Sequence, residues 1–156
     1  MAFRTITRIN IKRIKLSTRP LMMLISKDIK AVIQSRFRNS MGPDESHWAG
    51  VNNRTGKPLL ITGSLMRSFK SSYTSNTAIV GTNDIRARLH QFGGTIKAKN
   101  KPYLHFKIKD KWVKVKEVKI KARPFNGFNQ ELFERYKTMV ASYLRQELKE
   151  NLGGKQ

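Results

Sequence analysis

Apolar residues recur at helical spacing near both ends of the chain. Residues 20–38 carry one such stripe, which predicts an amphipathic helix with Thr18 as its N-cap. The stripe consists of Leu21, Leu24, Ile25, Ile29, Val32, Ile33 and Phe37. Residues 129–152 predict a second helix with Asn129 as its N-cap. The stripe of this second helix consists of Leu132, Phe133, Tyr136, Met139, Val140, Tyr143, Leu144 and Leu148.

Alternating apolar and polar residues mark the segments between these helices. Residues 95–124 alternate with lysines at most polar positions, which predicts a long β-ribbon with one apolar and one basic face. The apolar parity flips between Val115 and Val118, which predicts a turn or bulge at Lys116-Glu117. Two shorter runs, 69–73 and 78–82, predict a hairpin, and 84–92 has the spacing of a short helix.

The remaining segments complete the predicted organisation. Residues 1–19 are basic and partly alternating, which favours an edge strand or arm, although a transit peptide has a similar composition. Residues 40–58 are polar, rich in turn formers and anchored by Trp48, which predicts a surface loop. We therefore expect a single α+β domain over 1–156: a small antiparallel sheet with a long β-ribbon, flanked by an N-terminal and a C-terminal helix.

Composition narrows the choice of partners. The 156 residues contain 32 Lys and Arg against 10 Asp and Glu, a formal net charge of +22. Such a surface repels itself, so an anionic partner or neighbour is expected. The absence of cysteine excludes a disulfide scaffold and thiolate metal sites. The longest aliphatic run, Leu21 to Ile25, is too short to span a membrane, so no membrane partner is predicted.

The sequence contains few residue patterns that are typical of catalytic sites. Its three histidines, His47, His90 and His105, fall in three different predicted elements. Asp44 and Glu45 lie near His47 and could hold a metal, but a solvated turn explains them better. No phosphate-binding loop, nucleophile elbow or paired carboxylates are recognisable. We predict no enzyme, no metal and no cofactor, with a small hydrolase or nuclease as the weakest hypothesis.

The lysines of the predicted ribbon are the stronger signal. With Tyr103, Phe106 and Trp112 interleaved among them, they could follow a phosphate backbone and stack bases, or meet an acidic protein surface. The plainer interpretation is a solvated, edge-protecting face. The candidate contacts with DNA or an acidic surface are Lys107, Lys109, Lys114, Lys116, Lys119 and Lys121.

Four segments carry motifs that occur in the same order in one protein family. They are Phe37 with Gly42-Pro43-Asp44 and Trp48, the run Leu60-Ile61-Thr62-Gly63-Ser64-Leu65-Met66-Arg67-Ser68, Val80-Gly81-Thr82-Asn83 with His90-Gln91-Phe92-Gly93-Gly94, and Ala122-Arg123-Pro124-Phe125. Over residues 20–150 the chain resembles the phage virion morphogenesis family, which includes the Mu-type and P2-type tail-completion proteins of tailed bacteriophages.

The resemblance implies a structural virion protein that completes the neck or tail at the head–tail junction. Family members of this kind usually form rings, often hexamers, so the expected partners are further copies, other neck, connector or tail proteins, and the genomic DNA in the channel. The expected location is the virion, and the host cytoplasm during assembly. We expect the assembly contacts to include Trp48, Trp112, Arg123 and Phe125, because interfaces favour aromatic and arginine anchors. The alternative for the Arg123-Pro124-Phe125 segment is ordinary turn and core chemistry, with Phe125 in the core. The alternative is a free, non-specific nucleic-acid-binding protein.

Overall fold

The computed structural model describes residues 17–51, 55–108 and 111–153, and it confirms an α+β fold. The predicted N-terminal arm lies almost wholly outside the described residues. The helices are α1 (Arg19–Asn39), α2 (Ser64–Arg67), α3 (Ile85–Phe92) and α4 (Gln130–Gly153). The strands are β1 (Lys70–Tyr73), β2 (Ala78–Gly81), β3 (Gly94–Lys97), β4 (Leu104–Ile108), β5 (Lys111–Val115) and β6 (Glu117–Ile120).

The two terminal helices begin where the sequence predicted, but only one is capped as expected. Asn129 Oδ1 accepts a 3.0 Å hydrogen bond from the Leu132 backbone N–H, the usual N-cap contact. Thr18 occupies the N-cap position of α1 without making a side-chain cap. Its hydroxyl instead donates to the carbonyl of Ser75, so it ties the start of α1 to the turn between β1 and β2.

The strands form three separate antiparallel pairs rather than one small sheet. Strands β1 and β2 make the predicted hairpin, which packs on α1. Strand β3 pairs with β6, and β4 pairs with β5. A 3.2 Å hydrogen bond from Ala98 N to Lys116 O joins the two latter pairs into one long ribbon. The ribbon bends at Lys116, where the parity of the sequence flips.

Two clusters of buried side chains share α1. The first surrounds Phe37, whose ring lies 5.0 Å from Phe125, 5.6 Å from Trp48 and 6.1 Å from Phe69, centroid to centroid. Such aromatic contacts add to the free energy gained by burial. The second cluster joins the first half of α1 to α4 and consists of Leu21, Ile25, Leu132 and Tyr136.

A polar contact joins α4 to α1 beside the apolar one. Tyr136 Oη donates a 2.7 Å hydrogen bond to Asp28 Oδ2, and Arg135 pairs with the other carboxylate oxygen. Burial, followed by the hydrogen bond to Asp28, raises the pKa of the Tyr136 phenol. The phenol therefore stays a neutral donor, and α4 is held at both an apolar and a polar contact.

We expect Phe37→Ala to lower the free energy of unfolding by about 3–5 kcal/mol, because it empties the centre of the aromatic cluster. Phe133→Ala is the matched control, since Phe133 lies on α4 with 56% of its surface exposed. It should change stability by about 1 kcal/mol or less. Urea unfolding followed by circular dichroism measures both, and equal losses would contradict this assignment of the core.

Candidate functional site

Residues 123–127 connect the ribbon to α4 and are held by side chains of the surrounding elements. Gln91 Oε1 accepts hydrogen bonds from the backbone N–H groups of Phe125 (3.1 Å) and Asn126 (3.0 Å). Gln91 Nε2 donates to the Asn126 carbonyl at 2.8 Å. The amide of this one side chain therefore replaces a neighbouring strand, since it satisfies both donors and an acceptor of the segment.

Helix α1 and the loop after it also bind this segment. Arg36 Nη1 donates to the carbonyls of Phe125 (3.1 Å) and Gly127 (2.8 Å). Trp48 Nε1 donates to the Pro124 carbonyl at 2.9 Å. Gln91, Arg36 and Trp48 lie far apart in the sequence, so their shared target was not predictable from spacing.

These contacts correct two predicted assembly residues. Trp48 and Phe125 are only 7% and 2% exposed, and both belong to the cluster around Phe37. Their rings are covered by their own chain, so they serve the core rather than a neighbouring subunit. The other two predicted residues remain accessible: Trp112 is 75% exposed and Arg123 is half-buried.

The strand register sorts the ribbon side chains onto two faces. Lys107 lies opposite Trp112, and His105 lies opposite Lys114, so these four share one face. Leu104, Phe106 and Ile108 alternate with them and form the other face with Val113 and Val115. The aromatic ring of Trp112 thus lies on the basic face, whereas Phe106 lies on the apolar one.

The predicted lysine contacts are exposed wherever the structure describes them. Lys107 and Lys114 lie on the outer pair of strands, Lys116 lies at the bend, and Lys119 lies on β6 opposite Thr95. Lys121 follows β6 at the base of the ribbon. Lys109 lies outside the described residues. The described lysines therefore extend along the whole ribbon rather than forming one compact patch.

A cavity of about 520 Å³ lies at the base of the ribbon, and three of the four resemblance segments contribute to it. Arg86, Lys121 and Arg123 provide its cationic lining, and the imidazole of His90 lies beside them. The apolar lining is formed by Val51, Leu59, Ile61 and Leu65. No carboxylate is among the described residues that line it. The sequence did not predict this cavity, because its walls come from segments between residues 49 and 123.

Both arginines of the cavity are fixed by hydrogen bonds. Arg123 donates through Nη2 to the carbonyls of Ala49 (3.1 Å) and Gly50 (3.3 Å), and its backbone N–H donates to His90 O at 2.7 Å. Arg86 pairs with Asp84 and donates to Ser64 Oγ at 3.0 Å. The Arg86 side chain lowers the pKa of Asp84 to about 2, so this pair is ionised at neutral pH.

Gly93 lets the end of α3 approach the base of the ribbon. Its φ is 71°, and a Cβ there would lie 2.9 Å from both Ala122 N and Ile120 O. These are backbone atoms that cannot move aside, so only glycine fits. The close approach brings His90 beside Arg123, where burial, then Arg123 and Arg86, lower the pKa of the imidazole.

The structure does not bring the three histidines together. His47 forms a bridge with Met41 at the close of the loop after α1, and His105 lies on the ribbon. Within the described part of the chain, no three His, Asp or Glu residues are placed to hold a metal ion. Asp44, a predicted metal candidate, accepts a 2.8 Å hydrogen bond from the Ser46 hydroxyl, which lowers the pKa of its carboxyl. None of the helices described is long and apolar enough to cross a membrane.

Comparison with known proteins defines the class of this chain. Residues 4–149 match the phage virion morphogenesis family, so the chain belongs to that family. It is also 40% identical over 75 residues to the Mu-like prophage FluMu G protein 2 of Haemophilus influenzae. That match covers 48% of this chain and 52% of the relative, so the chain spans about half the length of the relative it matches. No solved structure matches significantly.

The environment of His90 predicts a pH dependence. Because the pKa of His90 is lowered in the fold, the unfolded chain binds the extra proton first, and stability falls as pH drops through the unfolded value of about 6.5. The groups facing His90 are Asp84, Arg86 and Arg123.

We expect wild-type stability to fall between about pH 7 and pH 5, and His90→Gln to remove most of this change. His105→Gln, at an exposed position, is the control and should retain the wild-type profile in chemical denaturation; identical profiles for all three proteins would contradict the expectation.

Proposed function

We propose that this chain is a structural subunit of a tailed-phage virion, a neck or tail-completion protein that forms a ring at the head–tail junction. Membership of the phage virion morphogenesis family and the similarity to a Mu-like prophage protein support a role in building the virion. Beyond this role, we propose the ring, its place in the virion and its neighbours. In this role the chain works through contacts between proteins and performs no catalysis.

The observation that carries the proposal is that the chain exposes two different apolar surfaces. One is the apolar face of the ribbon, where Leu104, Phe106 and Val113 are only half-buried. The other lies on α3, where Ile85 and Phe92 are 91% and 74% exposed at positions i and i+7 of one helix. Exposed apolar patches of this kind mark interaction surfaces.

Two unlike surfaces favour a ring over a two-fold dimer. In a two-fold contact each surface meets its own copy, whereas a contact between two different surfaces generates a ring when the rotation closes. We propose that the ribbon of one subunit lies on α3 of the next, with Trp112 and Arg123 at the edges of this contact. A hexamer is the expected ring, and other neck, connector or tail proteins would bind its two ends.

The basic face of the ribbon would allow this ring to bind an anionic partner. Lys107, Lys114 and Lys119 are exposed together with Trp112. In a neck, the polyanion that passes is genomic DNA, which such a face binds without sequence specificity. An acidic surface of a neighbouring virion protein would satisfy the same charges. The subunit would act in the virion after assembly in the host cytoplasm.

The assembly surfaces can be tested with single serine substitutions. Phe106→Ser on the ribbon and Ile85→Ser on α3 should each convert the ring to monomers in size-exclusion chromatography with light scattering. Ile85→Ser cannot act by unfolding the chain, because its side chain makes little contact in the monomer. Both variants should leave unjoined heads and tails when they replace the native gene in a phage.

The matched control for assembly is Lys114→Ser on the opposite face of the ribbon. It should form rings and yield joined particles, since it leaves both apolar surfaces intact. A wild-type chain that is monomeric at all concentrations, or rings that survive both apolar substitutions, would contradict the proposed contact. If a folded histidine variant instead yields normal particles that lack infectivity, this outcome would favour an enzymatic role.

The second candidate function is a free, non-specific nucleic-acid-binding protein. The position of Trp112 on the lysine face favours it, because basic side chains beside an exposed aromatic ring suit a phosphate backbone with bases to stack. We expect replacement of Lys107, Lys114, Lys116 and Lys119 by glutamine to weaken DNA binding at about 50 mM salt and to reduce the salt slope by about 3 to 4. Replacement of four exposed cations away from the ribbon (Lys27 on α1 and Lys137, Arg145 and Lys149 on α4) by glutamine is the control. Equal effects of the two sets in a fluorescence anisotropy titration would exclude the ribbon.

A further inference from the structure

We infer that the cavity at the base of the ribbon binds a short peptide segment of a partner protein in which a carboxylate lies next to an apolar side chain. The volume of about 520 Å³ is in the range of pockets that enclose small ligands. Neither the family nor the proposed ring assigns a ligand to this cavity. The inference is therefore separate from the proposed function and can be tested on the purified chain.

The distribution of charge selects an anionic ligand. Arg86, Lys121 and Arg123 line the cavity, and none of its described lining residues is acidic. Asp84, which does not line the cavity, neutralises Arg86, so the net positive charge of the lining comes from Lys121 and Arg123. Guanidinium groups bind carboxylates through paired, charge-assisted hydrogen bonds, which are about twice as strong as neutral ones.

The apolar lining favours a peptide over a nucleic acid as the ligand. Val51, Leu59 and Ile61 offer aliphatic surface beside the cations, and Ile61 is largely exposed there. No Phe, Tyr or Trp side chain is among the described lining residues, so a base would find no aromatic ring to stack on. A concave site also cannot follow a duplex backbone. A carboxylate attached to an aliphatic side chain matches both parts of the lining.

The cavity is already organised for binding. Arg123 is held by two backbone carbonyls and Arg86 by Asp84 and Ser64, so little side-chain freedom remains to be lost. His90 Nδ1 is buried and has no hydrogen-bond partner among the described residues. Leu59 adopts a φ of 59°, a left-handed conformation that costs free energy for a residue other than glycine. Strain and an unsatisfied polar atom thus both occur at this cavity.

Two capped peptides distinguish the possible sources of the carboxylate. N-acetyl-leucyl-leucine carries a C-terminal carboxylate, and N-acetyl-leucyl-glutamyl-leucine amide carries a side-chain carboxylate. The glutamine version of the second peptide is its neutral counterpart. Isothermal titration calorimetry at low salt should show at least one acidic peptide binding about tenfold or more tightly than the neutral peptide. The acidic peptide that binds more tightly identifies the source.

Two single-charge variants form a matched pair. Lys121→Ala removes a cation from the cavity and should weaken binding of the acidic peptide about tenfold. Arg88→Ala makes the same change of charge outside the cavity and should leave binding unchanged. If Lys121→Ala proves poorly folded, Ile61→Glu tests the same site, because it adds a carboxylate at an exposed lining position and should abolish acidic binding.

Several outcomes would overturn the inference. Equal binding of the acidic and neutral peptides would exclude a carboxylate site. Equal losses in Lys121→Ala and Arg88→Ala would mean that the peptide is held by the general positive charge. Tighter binding of inorganic phosphate or of a short DNA duplex, lost in the same variants, would assign the cavity to a phosphate ligand. None of these outcomes depends on whether the chain forms a ring.

Discussion

The backbone of residues 123–127 is hydrogen-bonded by side chains and not by a neighbouring strand. The rest of this structure depends on this constraint. The segment lies in no strand, yet it crosses the aromatic cluster and carries polar groups that must be satisfied. Arg36, Trp48 and Gln91 satisfy them from three different elements. Burial lowers the pKa of Arg36, and the two carbonyls it reaches compensate for the removal of its guanidinium from water.

This segment fixes the ribbon to the core. Phe125 is anchored beside Phe37, and the adjacent Arg123 is anchored to the loop carbonyls at the cavity. Because the ribbon begins after α3 and returns into this segment, both of its ends are fixed. Among the described residues, its outer strands pair with each other and with no further strand. A two-stranded ribbon is marginally stable alone, so cover from another chain would stabilise the half-exposed apolar face.

Local patterns in the sequence identified most of the elements but not their mutual contacts. Periodicity located the two long helices, the hairpin and the bend at Lys116, because these depend on neighbouring residues. The sequence did not reveal that Trp48 is buried, and for Phe125 it left both a core position and an assembly contact open, since both residues lie in segments that resemble surface turns. It also did not indicate that Arg36 and Gln91 serve one distant backbone segment. The cavity follows from these long-range contacts, so neither its walls nor its charge could be predicted.

Charge and apolar surface act in opposite directions in the proposed assembly. A subunit of net charge +22 repels its copies, whereas the exposed faces on α3 and the ribbon favour contact between them. Four of the ten acidic residues lie on α4, so the rest of the surface is more basic than the average suggests. Anions bound along the ribbon or in the cavity would reduce this repulsion where the ribbon meets the body. Assembly and anion binding would then be linked, because each lowers the free energy of the other.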